Sequence, residues 1–427
     1  MVARIAIISE HASPLATLGG VDNGGQNVYV AQVANQLAAR GYRVDVYTRR
    51  DEEGLPEVVK FINRVRVIHV TAGPSRFVPK EKLLPYMEDF ARNMLSFCRR
   101  ERLRYDILHA NFWTSGIVAM RLKQSLGVPF VITFHALGRV RRIHQGESDH
   151  FPEERPLWEE RIIAAADGVI AECPQDRDDL MTLYGADSEK IRVIPCGFDS
   201  SELWPVDKRL ARRELGLPLD QYVVLQLGRL VPRKGVDNVI RAIARLRRDH
   251  NVPALLIIVG GESDRPCPLA TPEIDRLQAI AAEEGVSDWV RFVGRRGRHV
   301  LRYYYSAADV FVTTPWYEPF GITPVEAMAC GTPVIGARVG GIKSTVRHGR
   351  SGLLVPPNDP PALAESLELL YREPPLAQAF GAAGRARANR HFTWDCVVER
   401  IQSLYLRVGT PGRRHVAIEG TRGHLNA

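Results

Sequence analysis

The chain is poor in cysteine, with six scattered at Cys98, Cys173, Cys196, Cys267, Cys330 and Cys396 and no C-x-x-C pair. That spacing excludes a disulfide scaffold and suits a reduced, cytoplasmic chain. No run of 18 apolar residues occurs, so no transmembrane helix is expected. The first residues lead directly into an apolar run and a loop, without a basic n-region or a small-residue cleavage site, so no signal peptide is expected. Neither H-E-x-x-H nor a His/Cys cluster at ligand spacing is present, which argues against a bound metal. G-x-S-x-G and G-x-x-x-x-G-K-[ST] are missing too, which disfavours serine-hydrolase and P-loop chemistry. No basic stripe is interleaved with aromatics, so nucleic acid is not the expected partner.

The remainder is an ordinary globular composition: 427 residues, 45% hydrophobic and 25% charged. That length suggests two or three domains. The formal charge of +8 is unevenly placed. Residues 1–200 hold 26 basic and 26 acidic side chains, so the whole excess lies beyond them. A basic C-terminal half suits a polyanionic ligand such as a nucleoside diphosphate or an anionic membrane, or is simply a solvated surface.

Short apolar runs alternate with amphipathic helical stretches. Ile5–Ile8, Arg43–Tyr47, Ile107–His109, Phe130–Thr133, Val169–Ala171 and Ile191–Pro195 read as strands, and Val28–Ala39 as a helix. The pattern restarts with strands at Val223–Leu227, Ala254–Val259, Val290–Val293, Val310–Thr313, Pro333–Ile335 and Gly352–Val355 and a helix at Val236–Arg247. Such alternation implies two doubly wound α/β domains with parallel sheets, joined through Cys196–Leu219. Ligands of such sheets bind beyond the carboxyl ends of the strands, so the chemistry is expected in the loops that follow them. The tail from Gly409 is expected to be disordered or the end of a crossover.

Unusual residues fall in those loops. Gly19-Gly20-Val21-Asp22-Asn23-Gly24-Gly25-Gln26-Asn27 follows the first strand and opens a helix, where glycines and free N–H groups admit a phosphate. Arg229 and Lys234 lie in the loop after Val223–Leu227, where two cations can clamp a diphosphate and stabilise it as a leaving group. Glu318-Pro319-Phe320-Gly321-Ile322-Thr323-Pro324-Val325-Glu326 separates two carboxylates by seven residues. Pro324 suits the first turn of a helix. Glu318 would then lie in the loop and Glu326 on the helix, both able to accept hydroxyls of one ligand. Backbone N–H groups of Gly321 to Thr323 are left for phosphate oxygens. His135 follows Phe130–Thr133 and is either a strand-end core histidine or a catalytic one.

Glu318 to Glu326, continued by Glu-Ala-Met-Ala-Cys-Gly-Thr-Pro-Val-Ile at 326–335, resembles the E-x7-E signature of the family 4 retaining glycosyltransferases. Gly228-Arg229 with Lys234-Gly235 is similar to the same family's G-R…K-G, and Asp22 to Val30 to its N-terminal glycine loop. The form is like that of sucrose-phosphate-synthase-like and mycothiol-pathway members, over about residues 1–405. The resemblance implies a GT-B fold: two Rossmann-like domains facing a cleft, residues 1–198 holding the acceptor and 199–390 the nucleotide sugar. A helix at about 391–407 would cross back to the first domain, leaving 408–427 as a disordered tail. By position, Arg229 and Lys234 would neutralise the donor diphosphate, Glu326 would bind the ribose and Glu318 the sugar hydroxyls, near the backbone of Phe320, Gly321, Ile322 and Thr323. Gly24 and Gly25 would pack against phosphates and sugar, His135 would touch the transferred sugar, and Gly294 and Arg295 would face the base. Gln26, Lys80 and Arg155 would hold the acceptor.

The reaction implied moves a hexosyl group from a nucleotide sugar, UDP-sugar first among the choices, with retention and without a metal or other cofactor. The acceptor implied is a small sugar or sugar phosphate. Two acceptor positions depart from the mycothiol-pathway pattern: Phe112 stands for a tyrosine and Ala136 for a threonine, which weighs against inositol phosphate and leaves hexose phosphate open. The basic run Arg139-Val140-Arg141-Arg142-Ile143-His144 offers further phosphate ligands or a solvated surface. One alternative is a lipid-linked or polysaccharide acceptor at a membrane surface, with Leu83 to Phe97 as the contact segment. A second is a non-catalytic nucleotide-sugar sensor, and a third is phosphorylase chemistry, for which no pyridoxal-phosphate lysine is identifiable.

Overall fold

A computed structural model describes residues 3–16 and 24–409. The stretch Gly19 to Asn23 of the glycine loop and residues 410–427 of the tail expected at 408–427 lie outside the described residues; Val408 still belongs to the last helix. The first sheet has eight strands: β1 (Arg4–Ile8), β2 (Arg43–Arg49), β3 (Val58–Ile62), β4 (Val65–Val70), β5 (Ile107–Asn111), β6 (Phe130–Thr133), β7 (Gly168–Ala171) and β8 (Ile191–Val193), in the order β3-β4-β2-β1-β5-β6-β7-β8. The second has six: β9 (Tyr222–Leu227), β10 (Ala254–Val259), β11 (Val290–Gly294), β12 (Val310–Thr313), β13 (Val334–Ala337) and β14 (Gly352–Val355), in the order β11-β10-β9-β12-β13-β14. This is the two-sheet GT-B arrangement.

The central strands β5, β6, β7, β9, β10 and β12 are buried at every position. Helices cover both faces, so these strands read as continuous apolar runs rather than alternating ones. One expectation fails. The first sheet is not wholly parallel, because β3 pairs antiparallel with β4 at its edge. Half of β3 faces solvent, and its Lys60 and exposed valine and isoleucine dilute the apolar signal. Arg64, at φ 65°, makes the tight turn between the two strands.

The helix Gly25–Ala39 starts earlier than expected, because the Asn27 side chain accepts the Gly24 N–H at 3.0 Å and caps it. The last helix, Trp394–Val408, lies against it. Trp394 stacks edge-on with Tyr29 at 5.7 Å, and Tyr405 shares a 2.7 Å hydrogen bond with His109 on β5. Burial, and then the nearby His135, push the His109 imidazole down to about 3. The helix Met87–Arg100 turns Met87, Phe90, Ala91, Met94 and Phe97 inward against the helix Trp113–Leu126. The apolar face of Leu83 to Phe97 is therefore core.

Candidate active site

The loops after β9 and β12 interlock. Pro232–Lys234 forms one tight turn, closed by Gly235 at φ 64°. A Cβ at Gly235 would lie 2.1 Å from the Thr314 carbonyl oxygen, so only glycine permits this approach. Across it, Thr314 Oγ1 donates to Gly235 O at 3.0 Å and the Trp316 N–H to Arg233 O at 3.1 Å. The outcome is an ion pair between Lys234 Nζ and Glu318 Oε2, with Arg233 Nη1 3.6 Å from the same oxygen. Burial pushes the Lys234 ammonium down, as do Arg233 and Arg229, against the pull of Glu318. Burial pushes Glu318 up, but Lys234 and Arg233 hold it below the usual carboxylate range.

A second glycine pair supports Glu318 from behind. A Cβ at Gly340 would lie 1.9 Å from the Glu318 carbonyl oxygen, and the Gly341 N–H donates to that oxygen at 3.1 Å. These two were not among the expected site residues, although a glycine doublet soon after a strand is a signal of close backbone approach.

Beyond Glu318, Gly321 at φ 87° turns the chain into the helix Ile322–Ala329. The first N–H groups of that helix have no intrahelical acceptor. The Phe320 ring is buried edge-on to Phe392 at 6.1 Å, so only its backbone can face a ligand. Ile322 meets the first domain: a Cβ on Gly25 would lie 3.3 Å from Ile322 Cδ1. Glu326 is 3% exposed and accepts from Tyr305 Oη at 2.8 Å and from Arg298 at 3.4 Å. Gly294, at φ 87°, ends β11, and Arg295 opens the loop after it. The Arg295 N–H donates to Ser263 O at 2.8 Å, and its guanidinium sits 3.2 Å from Asp264.

The facing wall is built from strand ends of the first sheet. His135 lies two residues beyond β6 in the left-handed region at φ 60°, a strained conformation for a non-glycine residue and a marker of functional loops. Its Nδ1 is 3.1 Å from Glu172 Oε1 and its Nε2 3.1 Å from Asn111 Oδ1. Gln26 donates to Asn111 O at 3.3 Å and to Ser9 Oγ at 3.2 Å. Glu172, directly after β7, was not anticipated. A lone acid after a short apolar run has no motif to mark it. Burial pushes Glu172 up, but His135 and the Cys196 thiol, which donates to it at 2.9 Å, hold it low. Asp176 accepts the Glu172 N–H at 2.9 Å and is pushed up to about 8 by burial and then by Glu172. The Glu318 charge, across the cleft, adds a small upward push on Glu172. The walls also touch through Cys173 Sγ to Pro319 O at 3.4 Å and Lys343 Nζ to Gln175 Oε1 at 2.7 Å.

Arg155 is enclosed rather than open. It is 1% exposed, ion-paired with Glu159 at 2.8 Å and bonded to the Ala136 carbonyl. Its guanidinium lies 4.4 Å from the Phe151 ring centre and 4.9 Å from that of Phe112. Only its Nη1 lacks a partner. Lys80 begins a half-buried turn after β4. The basic run is engaged internally: Arg139 pairs with Glu160, Arg141 with Asp149 at 3.1 Å, and Arg142 donates to Pro152 O at 3.2 Å. Among the described residues, no three His, Cys, Asp or Glu side chains group as a metal site, and no helix is long and apolar enough to cross a membrane.

Comparison with known proteins agrees with this layout. Residues 23–202 match the family described as Glycosyltransferase Family 4, and residues 207–387 match Glycosyl transferases group 1. A D-inositol 3-phosphate glycosyltransferase of Acidothermus cellulolyticus is 40% identical over 94% of this chain and 90% of its own. One of Corynebacterium glutamicum is 38% identical over 94% of this chain and 96% of its own. The structure of sucrose-phosphate synthase from Thermosynechococcus elongatus superimposes with a TM-score of 0.86 at 35% identity, covering 95% of this chain and 99% of that one. With identity of this order along nearly its whole length, the chain belongs to the family 4, group 1 glycosyltransferases.

Proposed function

We propose that this glycosyltransferase moves a hexosyl group from a UDP-sugar to a small sugar or sugar-phosphate acceptor in the cytoplasm, with retention and without a divalent cation. The observation that carries the reading is the Lys234–Glu318 pair, held beside the N-terminus of the helix Ile322–Ala329 and faced by Gly25 across the cleft. Cation, carboxylate and free N–H groups thus converge where a diphosphate and its sugar would meet. The acceptor class is supported by the relatives' names, one citing inositol 3-phosphate and the other sucrose phosphate. The cytoplasm is supported by six cysteines that are all free thiols.

Cleavage of the anomeric C–O bond leaves positive charge on the sugar and negative charge on the diphosphate. Lys234 and Arg229 stabilise the diphosphate, as a divalent cation would elsewhere. Glu318 accepts sugar hydroxyls once Lys234 turns to the phosphate. His135 borders the sugar, braced by Glu172 and Asn111. Glu172 is committed to His135 and Cys196, so this carboxylate does not stand ready to form a glycosyl ester. The acceptor hydroxyl then attacks the face that the diphosphate leaves, and a phosphate oxygen takes its proton.

The test incubates the protein with UDP-glucose, UDP-N-acetylglucosamine, GDP-mannose and ADP-glucose, with pooled sugar phosphates, in EDTA. Mass spectrometry identifies the product, and NMR reads its anomeric configuration. A phosphorylated disaccharide with the donor's configuration is expected. An inverted product, or turnover only with added magnesium, would overturn the corresponding part of the reading. Donor binding with product formed only on membrane extracts would point to the lipid or polymer acceptor.

A further inference from the structure

Arg298 has no part in the reaction as described, yet it links two carboxylates. It is the first residue of the helix Arg298–Ala307, after β11. Its Nε lies 2.6 Å from Glu202 Oε2 and its Nη1 3.4 Å from Glu326 Oε1. Tyr305 stands seven residues later, on the same helical face. Its hydroxyl donates to the other oxygen of Glu326, Oε2, at 2.8 Å. Each oxygen of this buried carboxylate is therefore fixed by one donor from one helix. A carboxylate oxygen has two acceptor directions. One direction remains on each, and two parallel acceptors are what a vicinal diol needs.

We propose that Arg298 and Tyr305 are positioning residues that aim Glu326 at the 2′,3′-diol of the nucleotide, with Glu202 as the outer anchor of Arg298. The inference rests on Glu326 being the ribose ligand. Glu202 lies on the segment between β8 and β9, which joins the two sheets. The ribose carboxylate is thereby fixed relative to the junction and not only to its own helix. A carboxylate free to rotate would still bind a hydroxyl, but it would lose preference for the intact diol. That loss is separable from general damage to the fold.

The experiment measures dissociation constants by calorimetry for whichever of UDP, GDP and ADP binds most tightly, and for its 2′-deoxy counterpart. The native protein is expected to prefer the ribonucleotide by about tenfold or more, the worth of a hydrogen bond to a charged group. Glu326→Gln should reduce that ratio to near one; an unchanged ratio there would sink the ribose reading itself. Tyr305→Phe and Arg298→Met should each lower the ratio several-fold, and Arg298→Lys should restore part of it. Thermal melts check that each variant is folded. If Glu326→Gln removes the preference while folded Tyr305→Phe and Arg298→Lys keep it in full, the positioning role is overturned and the ribose reading stands. Should Arg298→Met not fold, Tyr305→Phe and Arg298→Lys still decide the question.

Discussion

The two walls of the cleft solve different problems with different materials. The wall from the second sheet uses charge: Lys234 against Glu318, and Arg298 between Glu326 and Glu202. Its geometry is set by backbone contacts at Gly235 and Gly340. The wall from the first sheet uses buried groups that pair with one another: His135 between Glu172 and Asn111, and Arg155 neutralised by Glu159. One wall suits a ligand whose charge changes during reaction. The other suits a ligand whose shape and hydroxyls must be recognised.

The sharpest way to break that contrast is at Lys234. If it stabilises the departing diphosphate, Lys234→Ala should lower kcat by about 10²–10³-fold, the usual cost of one transition-state donor. Acceptor KM should hardly move if, as proposed, the acceptor meets the other wall. The pH profile gives a second reading. Burial and the neighbouring arginines depress the Lys234 pKa, so the ammonium is lost at a lower pH than an ordinary lysine's. Activity should therefore fall on the alkaline side, starting below the usual lysine range. In Lys234→Arg that limb should be absent, since a guanidinium stays charged. A Lys234→Ala enzyme with native kcat would end the assignment of chemistry to this wall.

The same contrast explains what the sequence made legible. The charged centre of the second wall comes from two short loops, after β9 and after β12, each with glycines, prolines and charges at fixed offsets, so Arg229, Lys234, Glu318 and Glu326 stood out together. The first wall is assembled from single residues at the ends of β1, β5, β6 and β7, far apart in the chain. His135 could be suspected from its place after a strand. Glu172 could not, because only the parallel pairing of β6 with β7 brings it beside His135. The hairpin of β3 and β4 was missed for another reason: the half-exposed edge strand β3 carries no continuous apolar run, and in the buried β4 that run is broken by Arg66 and His69. Arg155 was noticed as a cation, but Glu159, four residues on along the same helix, removes its openness.

His109 tests whether the first wall is held by neutral burial. Its pKa of about 3 lies well below the unfolded value of about 6.5. Between those values the unfolded chain binds the extra proton. Stability therefore rises with pH across the window and is lost as pH falls through it. From pH 7 to 5 the loss should be about 2 kcal/mol, using ~1.4 kcal/mol per pKa unit. Urea unfolding of the native protein and of His109→Gln over that range measures it. Asp176, raised to about 8, contributes the opposite slope as its extra folded-state proton is lost, so the difference between the two proteins is the meaningful quantity. Equal slopes would mean that His109 is not buried as a neutral ring.

The mildest effect is expected at Arg155, and it bears on the acceptor. Glu159 already offsets the guanidinium charge, and Phe112 and Phe151 shield it, so this side chain is not a general anion trap. Its unpartnered Nη1 nevertheless leaves one buried donor available, and such a donor favours a ligand that can fill it. Arg155→Lys keeps the charge but cannot keep the fork that spans Glu159, Ala136 and a ligand oxygen. For a phosphorylated acceptor, this variant should raise acceptor KM by about tenfold, the scale of one hydrogen bond involving a charged group. Donor KM should be unchanged. With the dephosphorylated sugar as acceptor, native and variant should differ little. If both acceptors respond equally, Arg155 recognises a hydroxyl or serves only to pack the aromatic cage, and the phosphate must be held by Lys80 and the outer rim.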